Sequence, residues 1–103
     1  MNTIAQERLD KYFAITEEAL NVAKEAPENL DADGAREDFL DMITRYIHDA
    51  KHFQSKDDLV NAFAALNYAH GWLDAGARIG LWDVTDSRLF TVDDEKKRDS
   101  QKS

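Results

Sequence analysis

Apolar residues recur at steps of three and four along most of the chain, and no β-type alternation of convincing length interrupts them. Each helical residue turns the chain by about 100°, so such spacing gathers side chains into one stripe. In the first segment Leu9, Tyr12, Phe13, Thr16, Ala19, Leu20 and Ala23 share a face. A second pattern places Phe39, Met42, Ile43, Tyr46, Ala50 and Phe53 together, and a third does the same for Leu59, Ala62, Phe63, Leu66, Ala69, Leu73 and Ala77. The predicted helices run over about 3–26, 33–54 and 57–80.

Punctuation supports those limits. Pro27 and Gly34 fall between the first two helices. Thr3 with Gln6, and Ser55 with Asp58, have the spacing of a capping box, in which two side chains satisfy amide donors left open at a helix start. Gly80 suits a helix C-cap. A break of only two to four residues near Ser55 makes the second and third helices antiparallel neighbours. The fold class expected is all-α, an antiparallel three-helix bundle in a single domain over 1–92. Leu81, Trp82, Val84, Leu89, Phe90 and Val92 form a short irregular segment with no clean period, able to pack back on the bundle, and 93–103 reads as a frayed, disordered polar tail.

Composition narrows the function classes. With 103 residues, 43% hydrophobic and 33% charged, the chain has material for one core. Thirteen Lys and Arg stand against 21 Asp and Glu, a formal net charge of -8, which argues against nucleic acid and anionic membrane surfaces as partners. The absence of Cys removes disulfides, thiol nucleophiles and Cys-based zinc sites. No apolar run reaches the ~20 residues needed to span a bilayer, and the first residues lack a secretory h-region, so a cytoplasmic location is expected by elimination.

Three constellations are candidates for chemistry. His48 and His52 stand at i and i+4, a zinc-chelating spacing, with Asp49 after the first. Both point away from the apolar stripe, so two surface histidines and no metal site are expected. Asn67, His70, Asp74 and Arg78 line one edge of the third helix; Asp74 can accept from His70 and pair with Arg78. A His–Asp pair can serve as a base with its orienter, but with no Cys anywhere and no Ser or Thr nearby in sequence as nucleophile, a structural polar cluster is the expectation. The third feature is a second apolar stripe on the same helix, Ala65, Tyr68, Trp72, Ala75 and Ile79, set roughly opposite the first. A bundle helix needs one broad apolar arc, so the second stripe calls for a cover, the chain's own 81–92 or a partner, unless the core arc itself is shifted toward it.

The run from Asp58 to Trp82, above all Tyr68-Ala-His-Gly-Trp-Leu-Asp-Ala-Gly76, resembles the archaeal family labelled domain of unknown function 357, with Arg45-Tyr-Ile-His-Asp-Ala-Lys-His-Phe53 in support. The resemblance implies a left-handed, up-and-down antiparallel three-helix bundle, albumin-binding-domain-like, in a cytoplasmic archaeal protein, and carries no activity, substrate or catalytic residue. From the residues, the expected function is a non-enzymatic interaction or self-association module using Tyr68, Trp72, Ile79 and Trp82, with another protein or a second copy as partner and no cofactor. The alternative is a small-molecule or anion binder, or weak enzyme, built on His70 and Asp74.

Overall fold

In the computed structural model, which describes residues 3–28 and 32–91, the three stripes fold against one another as α1 (Thr3–Glu25), α2 (Ala35–Ser55) and α3 (Leu59–Ile79). Among the described residues there is no strand, and no helix is long and apolar enough to cross a membrane. The side chain of Thr3, Val92 and the tail expected at 93–103 lie outside the described residues.

Side-chain pairings give the helix directions. Gln54 Nε2 donates to Asp10 Oδ1 at 2.9 Å, Lys51 pairs with Glu17 at 2.7 Å, and Arg36 reaches the carbonyls of Ala23 and Lys24. Positions on α1 therefore rise as those on α2 fall, which makes the two antiparallel. Tyr46 stacks on Tyr68 and Phe39 meets Trp72 edge-on, so α2 and α3 are antiparallel too. All three helices pack on one another, and the bundle is up-and-down.

The core contains Leu9, Phe13, Ala19, Leu20 and Ala23 from α1, and Ala62, Leu66, Ala69, Leu73 and Ala77 from α3, as their periodicity requires. On α2 the buried centre is Ile43, Ile47 and Ala50, with Phe39, Met42, Tyr46 and Phe53 only half-buried. The expected stripe omitted Ile47 and so lay rotated toward α3.

Two helix ends differ from expectation. Asp58 caps α3, its Oδ1 accepting the Asn61 amide at 3.2 Å, whereas Ser55 closes α2 and donates to the His52 carbonyl. Asp57 between them has φ 60, and that left-handed residue sets the reversal after Ser55. At the other end Gly80 is the C-cap, at φ 93, and both its amide and that of Leu81 donate to the Gly76 carbonyl.

Beyond Gly80 the chain completes the core. Leu81, Trp82, Val84, Leu89 and Phe90 are all buried, and Trp82 and Phe90 are the largest fully buried side chains of the described protein. Trp82 Nε1 donates to the Leu73 carbonyl at 2.9 Å, and its ring occupies the place a Cβ on Gly76 would need, 2.1 Å from that position. Asp86 starts the one helical turn of the segment, accepting the Arg88 amide on Oδ1 and the Leu89 and Phe90 amides on its carbonyl. Arg36 then joins three elements, donating to Leu81 O at 2.8 Å as well as to the end of α1.

Candidate functional site

The two candidate sites lie on α3. This helix carries two charged residues, Asp74 and Arg78, in its 21 positions, while α1 carries eight and α2 seven. A surface helix so poor in charge has more apolar face than one core needs.

Packing absorbs part of it. Ala65 is buried and Trp72 half-buried, because α2 lies over that shoulder of α3 and sets the Phe39 ring against Trp72 at 4.7 Å, nearly perpendicular. The second stripe is thus the flank of one broad arc and not an opposed face. Trp82, expected on the same surface, is fully buried beneath Gly76 and has no part in it. Outside remain Tyr68, 63% exposed although stacked on Tyr46 at 5.4 Å, Ile79 at 51%, and exposed Gly71 and Ala75. Residues 81–91 fold back elsewhere and leave these uncovered.

Between them lies an apolar depression of about 360 Å³ lined by Phe39, Asn67, Tyr68, Gly71, Trp72 and Ala75. Its floor includes a glycine in mid-helix whose missing Cβ would meet nothing within 4 Å. Glycine there costs the helix about 1 kcal/mol relative to alanine, and no internal contact requires it. Phe39 was read from sequence as a core residue only; its role as a wall appears once α2 and α3 are placed side by side.

The polar edge of α3 faces α1. Tyr12 donates from its hydroxyl to Asn67 Oδ1 at 2.8 Å, and its ring lies tilted on His70 at 5.8 Å. Burial, and then the charge of Asp74, push the Tyr12 hydroxyl above its ordinary range. His70 and Asp74 come together, but at 3.8 Å the Nε2–Oδ1 separation is beyond a hydrogen bond. Asp74 Oδ1 instead accepts the Thr91 amide at 2.8 Å, which ties the end of the irregular segment to α3. Among the described residues, His70 Nδ1 is buried without a hydrogen-bond partner, as is Thr16 Oγ1. Arg78 is exposed in the last turn. Neither His70 nor Asp74 borders the α3 depression or two further surface hollows, one beside the later turns of α1 and one at His48. Tyr12 as the partner of Asn67 was not foreseen, since its position in the α1 stripe pointed only to the core.

His48 and His52 are both exposed on α2, and His52 sets its ring edge-on to Phe53. Among the described residues no group of three His, Cys, Asp or Glu side chains could hold a metal ion.

Fold and surface together define a small all-α bundle whose third helix keeps an open apolar face. The family described as "Protein of unknown function (DUF357)" matches residues 11–82, from α1 to Trp82, and the chain belongs to it. Nothing among curated proteins matches the chain, and nothing among solved structures does.

Proposed function

We propose that the protein is a non-enzymatic interaction module that uses the open face of α3, Tyr68, Gly71, Trp72, Ala75 and Ile79, to bind another protein or a second copy of itself. The carrying observation is Gly71, a mid-helix glycine with open space above it at the centre of an apolar depression. A side chain from a partner helix can approach the backbone there as closely as Trp82 approaches Gly76 on the inner side. Tyr68 and Trp72 at its border are residue types enriched where binding energy concentrates. A second copy is the simplest occupant, because two identical faces related by a twofold axis present the same patch to each other.

The His70–Asp74 reading has one observation in its favour, the buried and unpartnered Nδ1 of His70. It is weaker because Asp74 is committed to the Thr91 amide and neither residue lines the α3 depression.

Light scattering on wild type and Ala75→Asp tests the main reading. Ala75 is exposed, so the variant folds, and it places a charge on the face. Wild type is expected at a multiple of the 11.7 kDa chain mass, with Ala75→Asp at the chain mass. Equal chain mass for both, with no change in Trp72 fluorescence between dilute and concentrated wild type, removes self-association and leaves only a different protein as partner.

A further inference from the structure

A second surface shares no residue with the α3 face. Along the later turns of α1, residues 83–86 run beside the helix and leave a trough of about 620 Å³ between them. Val22, Ala26 and Val84 give it an apolar floor. The α1 wall carries Glu18 and Glu25, the opposite wall Asp83 and Asp86, and no Lys, Arg or His lines it.

The four carboxylates differ in what they already hold. Arg88 pairs with Glu18 and stands 3.8 Å from Asp86, so those two are partly neutralised. The Glu25 and Asp83 carboxylates accept no hydrogen bond and enter no ion pair among the described residues, though they stand on opposite walls. The trough is also held in shape. The Asp83 amide donates to the Pro27 carbonyl at 2.8 Å, Val84 is buried, and Arg36 binds both the end of α1 and Leu81 O. A groove fixed in advance spares a ligand the cost of ordering it.

We propose that this trough docks a basic extended segment of a partner protein, with an aliphatic side chain seated over Val22, Ala26 and Val84 and Lys or Arg side chains reaching Glu25 and Asp83. Charge complementarity selects that occupant. Phosphate-bearing ligands meet like charge on both walls, and a second copy of the chain brings a net charge of -8 against the same carboxylates. The apolar floor calls for an aliphatic group as well as a cation, which a lone metal ion does not supply.

The test is a titration of the ¹⁵N-labelled full chain with acetyl-Arg-Leu-Arg-Leu-Arg-amide, read from backbone amide shifts. Shifts are expected at Val22, Ala26 and Val84, with Kd rising severalfold from low to physiological salt. Glu25→Gln combined with Asp83→Asn should weaken binding about threefold to tenfold, as two exposed ion pairs allow. Because neither carboxylate has a partner among the described residues, the double variant keeps its fold, which its own amide spectrum reports. Three results would each overturn the proposal: equal binding of a Glu-for-Arg control peptide, affinity unchanged in the double variant, or shifts confined to α3.

Discussion

Gly71 and Gly76 lie five residues apart on one helix and are glycines for opposite reasons. At Gly76 the position of a Cβ is already filled by the Trp82 ring, 2.1 Å away, so the residue is fixed by the chain's own fold. At Gly71 nothing stands within 4 Å, and the fold would accept any good helix former. One glycine records a contact made inside the molecule. The other has no internal cause, which is why the open face and not the polar edge carries the functional reading. Where a helix pays for a glycine that nothing inside it uses, the use is to be sought outside.

The largest effect expected from this difference is at the closed side. Gly76→Ala should destabilise the protein by about 3–5 kcal/mol, as much as Trp82→Ala, because a methyl group there expels a fully buried indole. Urea unfolding of both single variants and the double variant checks the cause. In the Trp82→Ala background, Gly76→Ala should cost nothing or stabilise by up to about 1 kcal/mol, since only helix propensity remains. Additive losses in the double variant would mean that Gly76 is needed for something other than Trp82.

Gly71→Ala is expected to move the other way, raising stability by about 0.5–1 kcal/mol through helix propensity alone. If the face associates, the same methyl group weakens association while strengthening the isolated fold, a combination that unfolding at low concentration and light scattering at high concentration separate. A loss of monomer stability would break the contrast with Gly76 outright.

A smaller effect lies at the polar border of the open face, where Tyr12 holds Asn67. Tyr12→Phe should cost about 0.5 kcal/mol at neutral pH, the low end for one hydrogen bond, because this one is exposed to water. Its pH dependence has a definite sign. The folded hydroxyl titrates above its ordinary value, because of burial and then Asp74, so the unfolded chain loses that proton first. Stability is therefore intact below about pH 10 and falls as pH rises through the folded value. Unfolding at pH 8 and pH 10.5 should show a smaller alkaline loss in Tyr12→Phe than in wild type.

Much of the bundle was legible because the signals are local. The α1 and α3 stripes, the exposure of His48 and His52, and the Gly80 cap each rest on a few neighbouring residues. What failed depends on two elements at once. The buried direction of α2 is a compromise between α1 and α3, so Ile47 could not be placed at its centre from the spacing of α2 alone. Both Gly76 and Trp82 are visible in the sequence, but their meeting requires the reversal at Gly80. Without it, Trp82 was assigned to the surface. The same holds for the sites: Tyr68 and Ile79 are read from one helix, while the trough beside α1 joins residues some 60 positions apart.

Asp57 offers the finest test of where glycine is needed, being the converse of Gly71: a left-handed backbone, φ 60, in a residue that is not glycine. An L-residue there carries strain of about 1 kcal/mol, less for Asp than for most side chains. Replacement by glycine relieves that strain but gives the unfolded chain more freedom to lose, a cost of similar size. The two effects oppose each other, and Asp57→Gly should shift stability by less than about 0.5 kcal/mol in urea unfolding. A gain well above 1 kcal/mol would mean that the turn after Ser55 stores strain. The backbone would then demand glycine more strongly at a position that lacks it than at Gly71, which has it.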